Sequence, residues 1–198
     1  MLTLVVGLGN PGRRYERTRH NVGFMVVDAL RARAGDPAER EAAHSLVSRA
    51  AFGDREVALA KPLLFMNRSG RAVQALLAKQ GGEVGGLLVV ADDFHLDFGV
   101  LRVRRGGSHG GHNGLRSIIE ALGTQEFARL RIGIGAAPAG EDPADYVLEG
   151  FGRDEVARIP DVVGDAADCV TRALTEGLEK AMNRHNRKPG GASDDPAE

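Results

Sequence analysis

Between Gly106 and Gly114 the chain reads Gly-Gly-Ser-His-Gly-Gly-His-Asn-Gly. Two imidazoles and one amide sit among five glycines. Glycine loses the most conformational freedom on folding, but it reaches backbone angles and close approaches that a Cβ forbids. Leu115, Ile118, Ile119 and Leu122 follow at helical spacing. The segment therefore predicts a loop at the mouth of a helix, with backbone, His109, His112 and Asn113 brought close to something. A tight strand-to-helix connection carrying two surface histidines has the same pattern, so the rest of the chain must decide. Other residues able to do chemistry lie at ends of apolar runs. Asp92 and Asp93 close the run 87–91, and Phe65-Met-Asn67 precedes the helical pattern Val73, Leu76, Leu77. His20 stands just before another helical pattern. Phe65 and Met66 are also ordinary core residues, and a lone histidine at a helix entrance matters only if partners converge on it.

The elements that must position these groups follow from periodicity. Residues 2–6 form a short apolar run, consistent with a buried strand. It leads into Gly7-Leu-Gly-Asn-Pro-Gly12, formally the dinucleotide pattern G-x-G-x-x-G. That pattern needs a helix opening directly from the glycines, whereas Asn10-Pro11-Gly12 reads as a turn. Residues 21–34 carry Val22, Met25, Val26, Ala29 and Leu30 on one helical face, with Asn21 as the expected cap. Residues 45–52 and 56–61 predict strands joined at Gly53-Asp54. Residues 87–91, 100–105 and 127–135 predict further strands. Alternation puts Arg102 and Arg104 on one face, and Arg129 and Arg131 together on another. Such pairs suit phosphate contacts or salt bridges within the fold. Helices are expected at 145–148 and about 154–185, and the Pro/Gly/Ser/Asp-rich residues 188–198 are expected to lack structure.

The totals set bounds. At 198 residues the chain fits one domain with a real core. No apolar run approaches the roughly 18–20 residues of a membrane span, the N-terminus lacks a signal-peptide shape, and Cys169 is the sole cysteine. These features lead us to expect a cytoplasmic protein. Net charge is −1, but residues 99–135 hold six Arg against two Glu, while residues 139–168 hold two Arg against nine Asp or Glu. That asymmetry would serve a polyanion at one end, or merely two solvated faces.

Taken in order, Gly7-Leu-Gly-Asn-Pro-Gly, Tyr15, Thr18-Arg-His-Asn21, Lys61-Pro, Phe65-Met-Asn-x-Ser-Gly70, Asp92, Gly110-Gly-His-Asn-Gly114 and Arg129-Leu-Arg-Ile-Gly-Ile-Gly135 resemble the bacterial peptidyl-tRNA hydrolases. Each motif alone is weak; the ordered set is specific and runs from about residue 2 to residue 185. The resemblance implies a single α/β/α domain, three layers deep with a mixed, mostly parallel central sheet. It implies a monomeric, cofactor-free and metal-free esterase that frees peptide and reusable tRNA from peptidyl-tRNA. Matched residue by residue, it makes His20 the catalytic base and Asp92 its orienting carboxylate. Asn10 becomes the residue that tells a blocked amino group from a free one. Tyr15, Phe65, Asn67 and Asn113 would contact the tRNA end or peptide, His112 would line the site, and Arg104 and Arg131 would hold tRNA phosphate. Two positions depart from the pattern: His95 stands where a second Asp is usual, and Asp93 where Glu is common.

The residue types fit that chemistry. Imidazole, with an ordinary pKa of roughly 6.5, suits a general base at neutral pH, and a carboxylate on its other nitrogen fixes the tautomer. Asn67 and Asn113 supply neutral donors for an oxyanion, while Tyr15 and Phe65 offer faces to a terminal base. Neither a G-x-S-x-G motif nor a suitably placed cysteine provides a covalent nucleophile. One rival is a zinc hydrolase built on His109, His112 and Asp92 or Asp93, although H-x-x-H on a glycine loop is not the helical zinc pattern. The other is an RNA-binding module without catalysis, for which a base and its orienting acid would be superfluous.

Overall fold

The computed structural model describes residues 1–186. Residues 188–198, the expected tail, lie outside the described residues. Seven strands form one sheet: β1 (Leu4–Gly7), β2 (Arg40–Ala42), β3 (Ser45–Phe52), β4 (Arg55–Pro62), β5 (Leu87–Asp93), β6 (Leu101–Arg104) and β7 (Ala128–Gly133). Their order is β2-β3-β4-β1-β5-β7-β6. The four central strands, β4, β1, β5 and β7, run parallel, and the β2-β3-β4 and β6-β7 pairings at the two sides are antiparallel. The sheet is thus mixed around a parallel centre, as expected.

Seven helices are described: α1 (Val22–Arg33), α2 (Ser69–Gln80), α3 (Asn113–Leu122), α4 (Pro143–Tyr146), α5 (Arg153–Val156), α6 (Ile159–Thr175) and α7 (Leu178–His185). The buried strands β1 and β5 are apolar on both faces, as strands covered twice must be. Val5, Leu88 and Val90 face a core shared with Val26 and Leu30 of α1 and Val163 and Val170 of α6. Leu4, Val6, Val89 and Ala91 face Val73 and Leu76 of α2 and Leu115 and Ile118 of α3. These are the three layers. Among the described residues no helix is long and apolar enough to cross a membrane.

The differences from expectation are local. The single helix expected at 154–185 is three, because Pro160 sits in the first turn of α6 and Gly177 turns at φ 100° between α6 and α7. The helix expected at 145–148 begins earlier, at Pro143, where the Asp142 carboxylate accepts from the Ala144 amide. Strand β2 was not expected: it has three residues, two of them charged, and is held only by pairing with β3.

Candidate active site

The loops leaving the carboxyl ends of the parallel strands converge, which is where open α/β sheets place ligands. From the loop after β1 come Asn10, Tyr15 and His20; from the exit of β4, Phe65 to Asn67; from β5, Asp92; and from the mouth of α3, His112 and Asn113. Asn10, Tyr15, His20, Phe65, Asn67 and Asn113 line one cleft of about 280 Å³. Asp92 and His112 lie beneath it, both buried.

His20 sits in a 3-10 turn, Arg19–Asn21, that leads into α1. Its backbone N–H donates to Val147 O at 2.8 Å, and the Arg19 N–H donates to Glu149 O at 2.9 Å. The Arg19 guanidinium lies over the Tyr146 ring at 4.1 Å and donates to Gly150 O and Glu155 at 2.6 and 2.9 Å. The turn is therefore bolted to the segment that supplies Ala144, Val147 and Leu148 to the cleft wall.

His20 Nδ1 lies 2.8 Å from Asp92 Oδ1, and His112 Nε2 lies 3.0 Å from the same oxygen. His112 Nδ1 accepts from the Gly114 and Leu115 amides at 3.1 and 3.2 Å, so this imidazole caps α3. With Nδ1 an acceptor, the His112 proton must reside on Nε2, which donates to Asp92. Burial pushes the His112 pKa below its ordinary value; the Asp92 charge opposes this, and His20 and Arg131 add to the depression. His112 is a neutral donor. Burial alone would raise the Asp92 pKa, but the charges and hydrogen bonds of His20 and His112 outweigh it and hold the carboxyl well below the usual carboxylate range. The ionised oxygen accepts from His20 Nδ1–H, which leaves Nε2 as the basic nitrogen of the residue that lines the cleft. Gly114 permits this crowding: a Cβ there would meet Met66 Sδ at 2.5 Å and His112 Cε1 at 3.0 Å.

Asn10 is fixed from three sides. Its N–H donates to Asn21 Oδ1 and its carbonyl accepts from Asn21 Nδ2, each at 2.9 Å; its own Oδ1 accepts from the Met66 N–H at 2.8 Å. Asn21, expected to cap α1, makes no side-chain cap bond and braces Asn10 instead. With Oδ1 committed, Asn10 offers a substrate its Nδ2 donor. Phe65 is 52% exposed, so it is not core, and its ring meets Tyr15 edge-on at 6.5 Å. Met66 is buried, as its residue type suggests, yet it also lines the cleft.

The arginines divide. Register opposes Arg102 to Arg131 and Arg104 to Arg129, so all four share one face of β6-β7. Arg129 is buried; it donates to the carbonyls of Gly107, Ser108 and Gln125 at 2.5, 3.2 and 2.6 Å and stacks on Phe127. It braces the glycine loop from below and cannot reach a phosphate. Arg131 donates to Asp93 at 3.0 Å and to His109 O at 2.6 Å, so the phosphate contact expected of it would compete with the Asp93 pair. A Cβ at Gly110, where φ is 56°, would stand 2.6 Å from that guanidinium. Arg102 and Arg104 are exposed. Asp92 and Asp93 point to separate partners, the two imidazoles and Arg131.

His109, the other member of the expected zinc set, accepts the Gly111 amide on Nδ1 at 3.0 Å. Three metal-type donors that do converge among the described residues are His20, Asp92 and His112, and they are arranged as two hydrogen bonds onto one oxygen. Cys169 is fully buried, with its thiol pushed up to about 12 by burial, and is inert. Sequence reasoning missed the wall formed by Ala144, Val147 and Leu148. Leu148, at 42% exposure, is one of the few large exposed hydrophobics, but a lone leucine in an irregular segment gives no signal in sequence.

Comparison with known proteins agrees with this geometry. The family model described as peptidyl-tRNA hydrolase matches residues 4–192. Peptidyl-tRNA hydrolases of Chloroflexus aurantiacus and Mycobacterium avium are 50% and 49% identical, covering 92% and 91% of this chain and 98% and 95% of theirs. The crystal structure of peptidyl-tRNA hydrolase from Acinetobacter baumannii superposes with a TM-score of 0.87 at 34% identity, over 93% of this chain and 94% of that one. A peptidyl-tRNA hydrolase crystallised with N-propanol gives 0.88 at 32% identity, over 96% and 97%. The chain therefore belongs to the peptidyl-tRNA hydrolase family.

Proposed function

We propose that the chain hydrolyses the ester joining the peptide to the terminal ribose of peptidyl-tRNA, with His20 as general base and water as nucleophile. The observation that carries this reading is the 2.8 Å bond from His20 to an Asp92 carboxylate held ionised, beneath a cleft lined by three asparagines. Water gives a proton to His20 Nε2 as its oxygen bonds to the ester carbonyl carbon. Asp92 stabilises the imidazolium that results. The Asn67 and Asn113 side chains donate to the oxyanion, an interaction that strengthens as charge develops. Collapse breaks the bond between carbon and the ribose oxygen, and that oxygen takes the proton back from Nε2. The products are tRNA and the peptide acid, which ionises in water.

Asn10 supplies the selectivity. Its free function is a donor, and a blocked amino group carries an acyl carbonyl that accepts from Nδ2. A free α-ammonium has only donors to offer and would leave that amide unpaired, which makes such a site discriminate strongly. Tyr15 and Phe65 form an aromatic corner for the terminal base. Arg104 on the exposed face of β6 carries the phosphate contact, with Arg131 joining it when Asp93 yields.

The test is release of tRNA from N-acetyl-aminoacyl-tRNA, with free aminoacyl-tRNA as comparison and EDTA in a parallel reaction. The reading requires cleavage of the blocked substrate only, at an unchanged rate in EDTA. Loss in EDTA with recovery on added zinc would move the chemistry to a metal on His20, Asp92 and His112. Binding of both substrates without cleavage would leave an RNA-binding module.

A further inference from the structure

A second cavity, of about 380 Å³, adjoins the cleft. The two share Asn10, and they share walls: Pro11, Gly12 and Glu16 border the second as Tyr15 borders the first, and Lys61 and Leu63 border the second as Phe65 to Asn67 border the first. They meet at Asn10, between the loop after β1 and the exit of β4, so Asn10 is the saddle and the second cavity the far reach. The saddle is rigid, because Asn21 and the Met66 amide hold Asn10 at backbone and side chain.

The chemistry changes across that saddle. The far reach is walled by the half-buried apolar side chains of Phe24, Met25, Leu46 and Leu63. Its one cation, Lys61, is buried and spent on Asp28 at 2.5 Å and Glu39 at 2.9 Å. Glu16 and Asp28 are exposed at its border, but Asp28 is paired with Lys61 and Glu16 lies among the exposed Arg13, Arg14 and Arg17, so this end is apolar with a mixed rim. With Lys61 taken, the lining side chains offer RNA phosphate no unpaired cation. The exposed Arg102 and Arg104 lie on β6, at the far edge of the sheet from β3 and β4.

We infer that the far reach is a subsite for the nascent peptide upstream of the ester-linked residue, and that it selects apolar side chains. The inference rests on the hydrolase reading above. An acyl carbonyl placed at Asn10 Nδ2 belongs to the residue preceding the ester-linked one, so that residue's side chain and the next fall beyond the saddle. The substrate lies across the sheet, with peptide over β4 and β3 and RNA toward β6. An N-acetyl group ends at the saddle and cannot use the subsite.

The experiment compares three substrates with the same ester-linked residue: N-acetyl, N-acetyl-Leu-Leu and N-acetyl-Asp-Asp extended. Burial of two leucines in a half-open groove should lower KM by about tenfold for the Leu-Leu substrate relative to the acetyl one, with kcat little changed, and Asp-Asp should show no gain. Leu46→Glu and Leu63→Glu, two variants on different walls, should each abolish the Leu-Leu gain while kcat/KM on the acetyl substrate stays within about twofold of wild type, a change too small to report a lost interaction. Equal KM for the acetyl and Leu-Leu substrates in the wild type would overturn the inference. So would a variant that weakens binding of deacylated tRNA, which would assign the groove to RNA. Failure of wild type to cleave even the acetyl substrate would instead strike the hydrolase reading.

Discussion

One oxygen of Asp92 accepts from two imidazoles, and this sets the protonation of all three groups. His112 is pinned neutral by the α3 amides on its Nδ1, so in the proposed mechanism the carboxylate's charge serves the imidazolium that forms on His20. Asp92→Asn keeps the shape and removes the charge; kcat should fall by on the order of a hundredfold or more with KM little changed. A kcat within twofold of wild type in steady-state assays would remove Asp92 from the mechanism. The same triad makes stability fall with pH in two windows. The His112 pKa is depressed by folding, so below its unfolded value of about 6.5 the unfolded chain binds a proton that the folded chain refuses, and stability is lost as pH falls. The Asp92 pKa is depressed too, and its contribution is lost only as pH falls below about 3.8. His112→Asn should therefore flatten the decline in urea midpoint between pH 7 and pH 5; an unchanged slope would mean that other groups govern it. At this scale the sequence was informative about which residues meet: His20, Asn10, Asn67 and Asn113 line one cleft, and Asp92 is bonded to His20. It could not reveal that His112 is a helix cap, because histidine is not among the usual capping residues although its amide partners are only two and three residues on, or that Asn21 serves Asn10, which lies 11 residues away.

At the scale of elements, the site depends on segments that carry no catalytic group. The glycine loop is held by Arg129 through the carbonyls of Gly107 and Ser108, while the same guanidinium donates to Gln125 O and stacks on Phe127. Arg129→Met should leave buried carbonyls unpaired and cost roughly 2–4 kcal/mol in stability, read as a lower denaturant midpoint at unchanged m. A midpoint equal to wild type would mean that the loop holds itself. The arginine pair Arg129 and Arg131 was legible as a shared strand face, and alternation gave that correctly. Periodicity is blind to depth, however, so it could not tell a brace from a ligand contact. The short elements were illegible for a related reason. Strand β2 is made by its neighbour rather than by its own residues, and the break at Gly177 falls within a helical pattern continuous enough to hide it.

Across the whole molecule, Arg102 and Arg104 stand exposed on β6, at one edge of the sheet. Arg104→Ala should weaken substrate binding and flatten its dependence on salt, because each phosphate contact contributes roughly one to the slope of log K against log salt; an unaltered slope would assign Arg104 to the surface alone. The three-layer architecture was legible only through the family resemblance, and the asymmetry of charge from simple counts. Which face the charges occupy required the sheet order, since β6 and β7 are antiparallel neighbours at an edge while β1, first in the chain, lies at the centre. The proposed mechanism turns on one proton transfer at His20. The most direct measurement is single-turnover hydrolysis of N-acetyl-aminoacyl-tRNA by His20→Ala at saturating enzyme, with tRNA binding measured alongside. The account predicts retained binding and a rate lower by on the order of a thousandfold; a rate within tenfold of wild type would show that His20 is not the base.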